Sequence, residues 1–117
     1  MANILEKIIQ EKKEVLVEIK KNTSLSSIEN KIKNNDTFLD FKNVINNNKK
    51  ISLISEIKKA SPSAGMLVKD FNHLNIAKLY VDNGATCLSV LTEEKNFLGK
   101  LDSVSYTHLT LPTTPYV

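Results

Sequence analysis

The spacing of apolar residues changes once along this chain, near residue 50, and that change limits the folds open to it. Up to residue 45 the spacing is helical. Ile4, Leu5, Ile8, Ile9, Val15, Leu16 and Ile19 recur three and four apart with Glu and Lys on the opposite side, which predicts an amphipathic helix over about residues 4–20. Asn3 can cap it while Glu6 reaches back. Ser26-x-x-Glu29 and Thr37-x-x-Asp40 each have the pattern of a capping box and predict two shorter helical segments, carrying Ile28 and Ile32, then Phe38, Phe41, Val44 and Ile45.

From residue 51 the period becomes two. "ISLISEI" predicts a strand over 51–57 with Ile51, Leu53, Ser55 and Ile57 on one face and Ile54, Glu56 and Lys58 on the other. "NHLNIAKLYVDNG" then predicts a helix near 73–82, with Asn72 as its N-cap and Gly84 past its end. Leu74, Ile76, Ala77, Leu79 and Tyr80 are its expected core contacts. "ATCLSVL" predicts a second strand over 86–91. Strand, helix and strand within some forty residues make a βαβ unit, and a βαβ unit implies a parallel pair with a right-handed crossover.

That topology gives meaning to the end of the first strand. In parallel sheets, reactive groups gather at the carboxyl ends of strands. "SLISEIKKASPSAG", residues 52–65, ends an otherwise apolar run in Glu56, Lys58 and Lys59. Glu56 and Lys58 lie two apart, so their side chains share a face at a spacing of about 6.6 Å along the strand. A carboxylate beside an ammonium can accept and donate protons or anchor an anion. Ile54 would floor such a pocket, and Lys59 would point away. An exposed ion pair at a strand end would produce the same two letters, so the pair needs context.

Composition removes several classes of function. The 117 residues, 41% hydrophobic and 25% charged, suit one soluble domain. The apolar runs are far shorter than the roughly 20 residues that cross a bilayer, and the N-terminus has no apolar signal core, so a cytoplasmic protein is expected. One cysteine, Cys87, forms no internal disulfide, and no His/Cys cluster has metal-ligand spacing. Cys87 reads as a small buried hydrophobe and His73 as a solvated first-turn residue. The 16 basic residues are all lysine and are interleaved with 13 acids, which is not the footprint of a nucleic-acid binder.

The lysine, asparagine and isoleucine bias stops near residue 103. "VSYTHLTLPTTPYV" holds two of the chain's three prolines and half of its threonines, and contains no Lys, Asn, Ile, Asp or Glu. Read as codons, GTC TCT TAT ACA CAT CTG resembles a transposase adapter used in sequencing libraries. Three sections are therefore expected: 1–50 as a helical extension, 51–103 as the βαβ portion, and 104–117 as an adapter-like, non-native tail, with the natural gene running past Ser103. Such a tail buries little and is expected to attach loosely, leaving Leu109 and Leu111 outside the core.

The ordered motifs E-x-K-x-x-S-P-S, N-G-A, S-V-L-T-E and Phe97-Leu98-Gly99, behind a helical extension, closely resemble the front of indole-3-glycerol phosphate synthase over about residues 3–102. Ala64 stands where that family often has lysine, and Lys100 where it often has serine. The resemblance implies an α/β fold, the N-terminal part of a (β/α)8 TIM barrel that is incomplete in this chain. It also implies a carboxy-lyase of tryptophan biosynthesis that acts on a phosphorylated small molecule without metal or organic cofactor. Carried over by position, Glu56 and Lys58 are catalytic, Ser61 contacts substrate through its hydroxyl, and Leu91 and Phe97 wall the anthranilate ring. The family's general-acid lysine on the third strand and its phosphate loops fall beyond Ser103, so a truncated and inactive fragment is expected. Fusion to or association with other enzymes of the pathway is possible for the full-length protein. Two other classes fit less of the sequence: another phosphate-binding TIM-barrel enzyme of the same pathway, and a small basic helical module with an anionic partner.

Overall fold

The computed structural model describes residues 3–35 and 38–104. Thr37 and the tail from Ser105, including Leu109 and Leu111, lie outside the described residues; the helical segment expected to open behind Thr37 and to carry Phe38 starts only at Phe41, with residues 38–40 non-helical and Phe38 exposed. One compact unit spans Met1–Phe38, and a second begins at Leu39.

The first unit holds α1 (Ile4–Asn22) and α2 (Leu25–Lys33). Helix α1 opens as its sequence predicts. The Asn3 side chain accepts from Leu5 N–H at 2.9 Å, while Asn3 N–H donates to Glu6 Oε2 at 3.1 Å. Such a cap stabilises a helix by about 1 kcal/mol. The second helix is capped two residues earlier than predicted. Ser24 is the N-cap, accepting from Ser27 N–H at 3.2 Å, and Ser26 lies inside the first turn with its hydroxyl on that of Ser24. Two hydroxyls competed for one cap, and the earlier one took it.

The second unit begins with α3 (Phe41–Asn46), capped by Asp40, whose carboxylate accepts from Asn43 N–H at 3.0 Å. There follow strand β1 (Ile54–Ile57), a hairpin of β2 (Ala60–Ser61) and β3 (Gly65–Met66), helix α4 (His73–Asp82) and strand β4 (Cys87–Val90). β1 and β4 pair in parallel, with Ile54 opposite Cys87, Ser55 opposite Leu88, Glu56 opposite Ser89 and Ile57 opposite Val90. The expected βαβ unit is present, and α4 has its predicted bounds and its Asn72 cap.

Both strands are shorter than predicted. Ile51 is 96% exposed, and Leu53 is also exposed. Leu53 joins the ladder only partly: its N–H donates to Thr86 Oγ1 at 3.0 Å, and its carbonyl accepts from Thr86 N–H at 2.8 Å. The core is set by α4. Ile57, Ala77, Leu88 and Val90 form its buried centre, with Phe71, Ile76, Tyr80, Val81, Ala85 and Val104 packed around them, so the first residue of the section expected to attach loosely is packed against the core. Burying one such aliphatic side chain contributes about 1.5–3 kcal/mol. Leu79, expected in the core, is 61% exposed. At about 100° per residue it falls roughly 130° from the centre of the face made by Ile76, Ala77, Tyr80 and Val81.

The hairpin was not foreseen in the Ser-Pro-Ser segment. Ser61 pairs with Gly65, which takes a left-handed φ of 67° that a side chain would resist. No helix among the described residues is long and apolar enough to cross a membrane.

Candidate active site

Strand alternation places Ser55 and Ile57 toward α4 and Ile54 and Glu56 on the other face. Ile57 is buried, while Ile54 and Glu56 are exposed. β4 follows the same rule. Leu88 and Val90 join the α4 core, leaving Cys87 and Ser89 on the face of Glu56. Cys87 is fully buried, and burial pushes its thiol pKa up, so it behaves as the small hydrophobe that was expected.

At the carboxyl end of β1 the Lys58 ammonium meets the Glu56 carboxylate at 2.7 Å, confirming that the two share a side. The second carboxylate oxygen accepts from Ser89 Oγ at 3.4 Å. Behind the strand, the Tyr80 hydroxyl of α4 donates to the Glu56 backbone carbonyl at 3.0 Å. Glu56 is thus held by a cation, a hydroxyl from the neighbouring strand and a phenol from the covering helix. The pair is partly exposed, with side chains 33% and 43% accessible for Lys58 and Glu56, so it adds at most about 1 kcal/mol to stability. Its significance is chemical: one acceptor and one donor sit side by side on an accessible face.

Lys59 does point elsewhere. It lines a separate cavity of about 350 Å³ with Phe71, His73 and Leu98. His73 is not the solvated residue expected; it is half-buried, its ring tilted 32° against Phe71 at 6.4 Å between centroids.

The remaining sequence-predicted residues lie on three elements. Leu91 follows β4 directly, its N–H donating to Ile57 O at 3.1 Å, and alternation from Ser89 puts it on the Glu56 side next to Lys58 in register. Ser61 stands in the hairpin, where its hydroxyl accepts from Ala64 N–H at 3.2 Å and so shapes the turn. Phe97 is half-buried in the loop after β4, its N–H donating to Glu93 Oε2 at 3.1 Å. Glu56, Lys58 and Leu91 therefore come together, Phe97 arrives on a loop, and Ser61 belongs to a separate small sheet.

Four residues that organise this region were given no site role by the sequence: Ser89, Glu93 and Gly99 entered only as letters of motifs, and Tyr80 only as a core contact, which it is. Ser89 was recoverable from alternation once the parallel register was known. Gly99 was recognised only as part of a motif, yet a Cβ there would lie 2.0 Å from the Leu91 carbonyl oxygen, so the loop returns hard against the end of β4.

Comparison with known proteins identifies the family. The family model for indole-3-glycerol phosphate synthase matches residues 5–114. Proteins of that name are similar to the chain: one from Desulforamulus reducens is 44% identical over 98 residues, covering 84% of this chain and 37% of the relative. Another from Prochlorococcus marinus is 46% identical over 101 residues, covering 86% and 34%. A third from Legionella pneumophila is 41% identical over 114 residues, covering 96% and 43%. The chain thus spans well under half the length of these relatives. With a family model matched along nearly its whole length and relatives 41–46% identical over most of it, this chain belongs to the indole-3-glycerol phosphate synthase family.

Proposed function

We propose that this chain is the front of an indole-3-glycerol phosphate synthase whose complete form is a (β/α)8 barrel. Helices α1 to α3 are the extension ahead of the barrel, and β1, α4 and β4 are its first strand, helix and strand. Residues 104–117 are read as non-native sequence on their change of composition alone, against a family-model match that runs on to residue 114. The observation that carries the reading is the 2.7 Å Glu56–Lys58 contact on the face of β1 opposite α4. In a closed barrel that face becomes the interior, and the carboxyl end of its strands becomes the mouth where chemistry occurs.

The reaction is the decarboxylating ring closure of 1-(2-carboxyphenylamino)-1-deoxyribulose 5-phosphate. The ring carbon that bears the carboxylate attacks the ketone carbon, forming the new carbon–carbon bond while the carbonyl oxygen takes a proton and becomes a hydroxyl. The bond to the carboxylate then breaks, carbon dioxide leaves, and the electron pair restores the aromatic ring. The hydroxyl departs as water with a proton from the adjacent methylene, completing indole-3-glycerol phosphate. Lys58 pairs with the substrate carboxylate or donates a proton, and Glu56 balances that charge or accepts one. Leu91 and Phe97 wall the aromatic ring, and Ser61 contacts the substrate through the hydroxyl that also shapes its turn. The complete enzyme works in the cytoplasm.

The test is to extend the gene past Ser103 from its source, purify the full-length product and follow indole fluorescence with the substrate. Turnover is expected. A full-length product that leaves the substrate unchanged, and that fails to restore growth without tryptophan to a strain lacking the synthase, would refute the reading.

A further inference from the structure

The loop that follows β4 is held by one carboxylate. Glu93, half-buried, accepts from Asn96 N–H at 2.6 Å and from Phe97 N–H at 3.1 Å through Oε2, and from Asn96 Nδ2 at 3.3 Å through Oε1. Its backbone carbonyl accepts from Gly99 N–H at 2.8 Å, so side chain and main chain of one residue close the loop at both levels. The closed form is demanding. Leu98 takes a left-handed φ of 53°, which few non-glycine residues adopt, and Gly99 lies so close to the Leu91 and Thr92 backbone that no side chain fits. Charge-assisted bonds to backbone N–H groups are about twice as strong as neutral ones. They offset a conformation that the loop sequence would not hold unaided.

The loop leaves from and returns to Leu91, the residue next to Lys58 in register. We propose that Glu93 is the positioning residue for this side of the site: its carboxylate fixes the backbone at Asn96 and Phe97 and thereby presents Phe97 at the carboxyl end of the parallel pair. Glu93 does not touch substrate. It sets how much ring-binding energy Phe97 delivers. The inference deepens the synthase reading and rests on it for the substrate involved.

A double-mutant cycle in the full-length synthase tests it. Glu93→Ala is expected to raise KM five- to tenfold while changing kcat less than twofold, and Glu93→Gln, which keeps one acceptor oxygen, to fall between it and the wild type. In a Phe97→Ala background the Glu93→Ala change is expected to add less than 1.5-fold, because nothing is left to present. Hydrogen exchange at the Asn96 and Phe97 amides is expected to speed up at least tenfold in Glu93→Ala. Independent, multiplying effects of the two substitutions on KM would overturn the proposal, as would unchanged exchange at those amides. A wild-type protein without turnover refutes the synthase reading and the substrate role together, and exchange alone then decides whether Glu93 holds the loop.

Discussion

Ser89 and Glu56 are Cα partners in the parallel pair, and the Ser89 hydroxyl donates to the Glu56 carboxylate on the side opposite Lys58. A carboxylate with one partner can swing around its terminal bonds; with two it has one orientation. At 3.4 Å and partly exposed, this bond lies at the weak end of those to charged groups. Ser89→Ala in the full-length enzyme is therefore expected to lower kcat about three- to tenfold, close to 1 kcal/mol of barrier. Ser89→Thr, which keeps the hydroxyl, is expected to stay near the wild type. Equal losses in both variants would mean that bulk or packing at residue 89, and not the bond, is what matters.

The Glu56–Lys58 pair separates chemistry from stability. At the solvent-facing mouth of the closed barrel, neither Glu56→Gln nor Lys58→Ala is expected to shift the unfolding free energy of the full-length enzyme by more than about 1 kcal/mol. Turnover is expected to fall by about 10²- to 10⁴-fold in each. Urea melts beside steady-state rates on the same preparations make the comparison. A large loss of stability with modest loss of rate would make the pair a structural feature of the strand end.

Gly99→Ala is expected to damage the fold around the loop. The new Cβ would sit 2.0 Å from Leu91 O, 2.7 Å from Leu91 C and 2.9 Å from Thr92 Cα, all backbone atoms of the strand end. None is the flexible tip of a side chain, so the loop itself must move, at a cost of about 1–3 kcal/mol or more. The denaturation midpoint of the full-length protein measures it. Gly65→Ala makes a contrasting control, since nothing lies within 4 Å of a Cβ there and only its φ of 67° opposes the change.

The reach of the sequence differs from element to element. Helix α4 was read with its bounds and cap because Asn72 immediately precedes the apolar run of helical spacing and Gly84 closes the far end. The start of α2 was misplaced because Ser24, Ser26 and Ser27 offer competing oxygens, and local pattern does not rank them. Ile51 and Leu53 look like strand residues by period, yet only pairing makes a strand, and β4 begins at Cys87. Glu56 and Lys58 were legible because period two fixes a shared face without knowledge of the partner strand. Ser89, Tyr80 and Glu93 act across 33 or 24 residues or through a loop, and such contacts depend on register and turn geometry that one-dimensional spacing does not contain.

The Glu93 staple carries a pH dependence of definite sign. Burial raises the pKa of this carboxyl, but the hydrogen bonds from Asn96, Phe97 and Lys95 outweigh burial and leave it below the ordinary value of 4.5. A carboxyl whose folded pKa is depressed stabilises the folded loop fully above the unfolded pKa and loses that contribution as pH falls through the folded value. The loop is therefore expected to keep its order through pH 5 and to loosen only in more acidic solution. Amide chemical shifts of Asn96 and Phe97 followed between about pH 6 and pH 2 would report it. Loosening already above 4.5 would mean that burial dominates and that the sign is reversed.

Residues 1–117, expressed as they stand, are not expected to close the indole ring. A (β/α)8 barrel takes about 250 residues and eight strands, and the described residues supply one parallel pair plus a two-residue hairpin. Both outer edges of that pair lack barrel neighbours, and Ile54 and Leu53 remain exposed, so self-association is the expected state in solution. Chemistry points the same way. In the proposed reaction Glu56 and Lys58 would supply one acceptor and one donor, whereas ring closure would also need a second acid on the carbonyl, a group that typically contributes about 10²- to 10⁴-fold. The loops that hold the phosphate follow the seventh and eighth strands in such barrels. Without them most of the orienting energy, about 7–11 kcal/mol in favourable cases, is unavailable. The measurement is indole fluorescence with substrate for purified residues 1–117 beside the full-length product. Turnover by the short chain that vanishes in Glu56→Gln or Lys58→Ala would show that these 117 residues already assemble a complete site.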